Sequence, residues 1–234
     1  MKKFELTTET ITNVDGKKLF RIKALIDFGD VKAGELGGYV EKEENVSQDG
    51  DAWVSGNAEV SGDAEVRDNA WVSDNAKVRD NAKVSGNAWV RGDAWVSDNA
   101  WVRGNAEVSG DAEVRDNAWV SDNAWVRGDA WVSGNAWVRG DAWVSDNAKV
   151  SGDAEVRDNA DYTLVQGFGT KFRCTTFYRS KNKKIMVNCG CFHGDLEGFR
   201  KQVKETRSGK IAKEYLMIAD LMEYHFASED SGDE

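Results

Sequence analysis

Residues 98–115 read Asp98-Asn99-Ala100-Trp101-Val102-Arg103, then Gly104-Asn105-Ala106-Glu107-Val108-Ser109, then Gly110-Asp111-Ala112-Glu113-Val114-Arg115. The same six-residue phrase, [G/D]-[N/D]-A-[W/E/K]-V-[S/R], runs from Gly50 to Arg157 without insertion, and its Ala and Val never vary. A period of six is far too short for a helical repeat and fits a solenoid in which each hexad supplies one short strand and one turn. Three hexads then close a triangular coil of 18 residues, and the eighteen hexads make six coils. Ala and Val are two apart, so both point inward and the residue between them points out. Gly and Asn in the turn pair are predicted to take the left-handed backbone of a tight corner. At a strand spacing of about 4.8 Å, six coils make a prism roughly 29 Å long.

On this pattern the segment resembles the left-handed parallel β-helix of the hexapeptide-repeat family, over 108 residues. The resemblance implies a mainly β fold and leaves function open, because such solenoids are scaffolds. Residues 50–97 and 98–145 agree at 41 of 48 positions, which indicates a tandem duplication of eight hexads, natural or engineered. Forty-eight is not a multiple of 18, so the copy is rotated by one face.

Taking every third hexad gives three outward columns. The first is Trp53, Trp71, Trp89, Glu107, Trp125, Trp143; the second is Glu59, Lys77, Trp95, Glu113, Trp131, Lys149; the third is Glu65, Lys83, Trp101, Trp119, Trp137, Glu155. Column neighbours are close enough to touch, so Glu59–Lys77 and Glu65–Lys83 are expected to pair and Trp101–Trp119–Trp137 to form an indole ladder. All ten Trp lie in the repeat. At ~150–250 Å² each they offer far more apolar area than a monomer exposes in one patch. Three readings stay open: the indoles shelter one another, they form a subunit interface, or they bind a ligand. The candidate binding residues are Trp101, Trp119, Trp137, Trp125 and Trp143 with Arg103, Arg127 and Arg139. Arg91 and Arg115 occupy equivalent positions, and the plainer role for all five arginines is pairing with a neighbouring turn Asp.

The chain divides into an N-terminal β cap (1–49), the repeat (50–160), a small α+β domain (161–227) and an acidic tail (228–234) expected to be disordered. FELTTETIT and KKLFRIKAL flank Asn13-Val14-Asp15-Gly16, a hairpin signal. The stretch from Arg21-Ile22-Lys23-Ala24-Leu25 through Gly37-Gly38-Tyr39-Val40 and Asn45 resembles the start of hexapeptide-repeat proteins of bacteriophages and prophages. Beyond the repeat, YTLVQ, KFRCTTFYR and KKIMVNC read as strands. Two helices follow, about Asp195–Thr206 with Leu196, Phe199 and Val203 inward, and about Lys210–Phe226 with Ile211, Tyr215, Ile218 and Leu221 inward.

The 234 residues carry a net charge of −10, which argues against a general nucleic-acid binder. The eighteen hexads, residues 50–157, carry 11 basic and 19 acidic residues. Their net −8 falls short of the roughly 17 charges on an equal length of DNA, so nucleic-acid mimicry is disfavoured. No apolar run spans a membrane. Three Cys without a secretion signal point to a reducing cytosol and free thiols, and the phage resemblance implies that of a bacterial host. Hexapeptide-repeat acyltransferases resemble one another in using a His base and a loop that interrupts the coils; this repeat holds neither, and His193 and His225 both lie beyond it. Cys174, Cys189, Cys191 and His193 contain the donor types of a zinc site, although Cys189-Gly190-Cys191 is spaced poorly for one and buried Cys is the simpler reading. No cofactor is called for. The expectation is a non-enzymatic, phage-type scaffold that forms a homodimer or homotrimer or binds a host protein. The alternative is an anti-defence sponge for a small anionic or nucleotide-like ligand; an acyltransferase comes third.

Overall fold

The computed structural model describes residues 1–227; the tail at 228–234 lies outside the described residues. The repeat is a parallel β-solenoid in which each hexad contributes a two-residue strand, such as Trp101–Val102. Strands three hexads apart pair in register, Trp101 beside Lys83 on one side and Trp119 on the other. The three resulting sheets are the three columns read from the sequence. Every Ala and Val of the eighteen hexads, 50–157, is buried, so small and branched side chains fill a narrow interior with no room for a third type.

The corner backbone differs from expectation. The left-handed residue is the first of each turn, and where it is not Gly it is Asp: Asp68, Asp74, Asp80, Asp98, Asp116, Asp122 and Asp146 all have φ between 58 and 63°. Asp there has a second use, because its carboxylate accepts the N–H of the matching residue one coil on, as Asp98 does from Asp116 (3.2 Å) and Asp116 from Gly134 (2.9 Å). Asn occupies the second turn position and builds ladders. The longest ladders run Asn69–Asn87–Asn105–Asn123–Asp141 and Asn81–Asn99–Asn117–Asn135–Asp153, each amide donating to the next over 2.9–3.2 Å. Both ladders end in Asp, which accepts a hydrogen bond and has none to pass on.

The stack starts earlier than Gly50. Tyr39 and Val40 pair in parallel with Glu59 and Val60, and Val46 bridges Val66, so a partial seventh coil lies inside the segment read as a cap. The predicted hairpin forms from Phe4–Thr12 and Lys18–Ala24 and extends the second sheet through Leu36–Val40. This region answers the carbonyls that the first coil leaves open. Tyr39, Glu41 and Ser47 amides take Ala58, Val60 and Val66. The Asn45 amide takes Gly62 and Ala64 (3.1 and 2.9 Å), and the buried Lys3 ammonium takes Gly50 and Ala52 (3.1 and 2.9 Å). Trp53, read as outward, is fully buried beneath Phe4 and Phe28, which meet its ring edge-on.

At the other end an antiparallel sheet of Tyr162–Phe168, Arg173–Arg179, Ile185–Cys189 and Phe192–Asp195 sits on the last coil. The fourth strand was not anticipated. Cys174, Thr176 and Tyr178 alternate onto the solenoid side. Tyr178 plugs the interior, and the Thr176 hydroxyl accepts the Lys149 amide (2.9 Å). Phe177 and Val187, on the other side, pack under helices α1 (Leu196–Thr206) and α2 (Gly209–His225). The inward face of α2 is Tyr215, Ile218, Ala219 and Met222; Leu221 is exposed, a correction to the periodicity reading. No helix among the described residues is long and apolar enough to cross a membrane.

Two outcomes are expected. Deleting Asp98–Arg115 removes one whole coil and re-forms every stack, Trp89 meeting Trp125, Trp95 meeting Trp131 and Asn81 meeting Asn117. Circular dichroism should keep its β signature and the melt should stay cooperative. Val102→Asp, which buries an unpaired carboxylate at a cost of several kcal/mol, should abolish that melt.

A third outcome concerns Lys3. Burial pushes its ammonium down to about 8 from 10.5. Between those values the unfolded chain holds more protons, so stability from this group rises with pH across that window and the penalty is fully present below it. Lys3→Met leaves the Gly50 and Ala52 carbonyls unpartnered and should cost about 1–3 kcal/mol at neutral pH. The melting-temperature gap between wild type and this variant should widen from neutral pH into that window, since only the wild type gains.

Candidate functional site

One spacing organises the outward face. An Arg that ends a hexad lies beside the outward residue of the next coil on the same face, sixteen positions later. Arg79 lies over Trp95, Arg103 over Trp119, Arg115 over Trp131 and Arg127 over Trp143, with centroid distances of 4.8, 4.9, 4.1 and 4.0 Å. Arg91 and Arg139 meet carboxylates instead, Glu107 at 2.6 Å and Glu155 at 2.5 Å. An indole face and a carboxylate both attract a guanidinium, so W and E are interchangeable partners at this register. The exception follows the same physics. Arg67 faces Lys83 sixteen residues on and turns back to Glu65 in its own hexad (2.6 Å).

This arrangement places the candidate residues. Trp101, Trp119 and Trp137 form the expected ladder, with centroids 5.0 and 5.6 Å apart and planes 2 and 17° from parallel. Lys83 lies over Trp101, Arg103 over Trp119 and Lys181, from the C-terminal domain, over Trp137. Trp125 and Trp143 meet at 5.6 Å with a 57° tilt, and Arg127 covers Trp143. Arg139 is not beside an indole; its ion pair with Glu155 is shared with Arg157, and these hydrogen bonds hold the Glu155 carboxyl below the usual range. The stacked Glu–Lys pairs do not form among the described residues. Lys77 swings over Trp95 and Lys83 over Trp101, both toward the C-terminal end. Corner aspartates meet only the side of Arg79 and Arg115, at 3.6 and 4.0 Å, while Asp15 of the N-terminal hairpin meets the end of Arg79 at 3.3 Å.

Exposure separates the faces. On the second face Trp95 and Trp131 each lie against two cations. On the first, Trp89, Trp125 and Trp143 remain 49, 41 and 39 % exposed. With up to ~250 Å² on each indole, that leaves roughly 300 Å² of ring surface along one side of the prism.

The four candidate zinc donors do not come together. Thr175 pairs in register with Cys189 and its hydroxyl reaches the Cys189 sulfur (3.1 Å), so Cys174 faces the opposite side of the sheet. His193 is on the Cys174 side, 3.2 Å from the Tyr178 hydroxyl, and Cys191 is at the exposed hairpin turn. Among the described residues no three His, Cys, Asp or Glu side chains converge to hold a metal. Burial pushes the Cys174 thiol up.

Sequence reasoning missed a cleft of about 290 Å³ in the C-terminal domain, between the hairpin ends and the helices. Phe192, Phe199 and Tyr215 form its wall, and Lys171, Arg173 and Arg207 line its opening. Phe199 meets Tyr215 edge-on at 5.9 Å and Phe192 at 5.6 Å. Burial, reinforced by the neighbouring Cys189 thiol, pushes the Tyr215 hydroxyl up. The only sequence signal was the run Lys171-Phe172-Arg173; nothing linked it to Arg207. The chain matches no protein-family model, and no curated protein sequence matches it.

The spacing rule has a measurable consequence. A double-mutant cycle on Arg115 and Trp131 by chemical denaturation should return a coupling of about 0.5–1 kcal/mol. The matching cycle on Arg67 and Lys83 should return none, or a small repulsion.

Proposed function

We propose that this chain is a non-enzymatic scaffold of the phage-type hexapeptide-repeat kind, working in the bacterial cytosol, that self-associates through its first face. The observation that supports this most is the concentration of exposed indole on that face, while the indoles of the second face lie under cations. Its order also favours a second copy as the partner. Trp71, Trp89, Glu107, Trp125 and Trp143 read the same in both directions about Glu107. Two antiparallel copies related by a twofold axis there oppose Trp89 of one to Trp125 of the other, and an isologous contact needs this self-complementarity. Arg91 already neutralises Glu107, so the two carboxylates at the axis are each paired. The N-terminal resemblance, the absence of His from the repeat and the free thiols support the family, non-enzymatic and cytosolic parts of the reading.

Light scattering at tens of micromolar should give twice the 25.9 kDa chain mass. Replacing Trp89, Trp125 and Trp143 by Gln should give the single-chain mass, and replacing Trp95 and Trp131 should leave the dimer intact. A wild-type monomer overturns the reading. A trimer keeps self-association and overturns the twofold arrangement.

A further inference from the structure

Of the thirteen arginines in the chain, eleven lie against a carboxylate or an aromatic ring. The other two, Arg173 and Arg207, meet no carboxylate among the described residues, and both line the same cleft. Lys171, likewise without a carboxylate, stands beside them. In a chain of net −10 this is a local reversal. Residues 158–227 carry twelve Lys and Arg against eight Asp and Glu.

We propose that this cleft binds a small amphiphilic anion, a molecule with an aromatic or short aliphatic body bearing a phosphate or carboxylate group. The three cations come from distant parts of the sequence, the Gly169–Arg173 connection and the end of α1, and the fold brings them to one opening. Beneath them the wall is aromatic. Apolar walls with a few convergent polar groups are the general form of a small-molecule site, and the charged head of the ligand stays at the cationic rim. The hairpin turn makes room for this. A Cβ on Gly190, which has φ 64°, would stand 2.3 Å from an Arg173 guanidinium nitrogen. A side chain there would be strained by that φ and would push the flexible end of Arg173 aside. This site is separate from the solenoid faces, so it stands or falls independently of self-association.

The probe is 8-anilinonaphthalene-1-sulfonate, an aromatic body with one anionic group, titrated into the full-length protein and read by fluorescence. One saturable site per chain is expected. Arg173→Gln with Arg207→Gln should weaken it by about tenfold or more. Thr206→Trp, at an exposed position on the rim, should block it with all three cations retained. The uncharged analogue N-phenyl-1-naphthylamine should not bind there, and the Trp89/Trp125/Trp143 variant should bind the anionic probe as wild type does. Displacement by phenyl phosphate assigns a phosphate ligand and displacement by phenylacetate a carboxylate. Failure of both to displace, equal binding of the uncharged analogue, or binding unchanged in the double Gln and Thr206→Trp variants, each with native circular dichroism, overturns the proposal.

Discussion

Everything in this molecule depends on the hydrogen bond that joins one coil to the next. An outward or strand-end amide donates to a carbonyl seventeen residues on, as Trp53 does to Ala70 and Ser55 to Val72, at 3.0 and 2.9 Å. The bond keeps this seventeen-residue spacing only where each coil has the same length and each inward side chain the same size. That is why 108 residues tolerate no insertion and no variation at Ala or Val. The direction of the bond leaves carbonyls open at the first coil and amides open at the last, so the two ends must differ. Asn45 and the Lys3 ammonium serve the first end; Asn159 and Thr176, which accept the Trp143 and Lys149 amides, serve the second.

The same stacking turns sequence distance into contact distance on the surface. Eighteen residues separate members of an Asn ladder, and sixteen separate an Arg from its indole or carboxylate. An exposed cation over an indole contributes only about 0.5–1 kcal/mol. Repeated along a rod, such contacts cover ring surface that would otherwise face water. They cover it unevenly. Ser stands where Arg would be before Trp89 and Trp125, and both of those indoles are exposed. Arg127 lies over Trp143 and still leaves it 39 % exposed, so a cation shields a ring only in part.

The C-terminal domain is both a lid and a separate chemical environment. One side of its sheet seals the prism with Tyr178, and the other carries two helices and the cleft. The pleat makes this division of labour possible, and it also separates Cys174 and His193 from Cys189.

Solenoid type, coil length, column membership and the inward pair were all legible in the sequence, because a period of six leaves one way to bury Ala and Val together. The indole ladder was legible for the same reason. The boundary of the stack was not: Tyr39 and Val46 join it through a coil two residues longer than the rest, which hides them from the repeat. Nor were the fates of Glu59, Lys77 and Arg139, because column order gives neighbours and not the direction in which a long side chain leans. The cleft belonged wholly to tertiary structure. Lys171, Arg173 and Arg207 are unremarkable cations until a sheet, a hairpin turn and the end of a helix bring them to one opening, and no local pattern encodes a meeting between segments more than thirty residues apart.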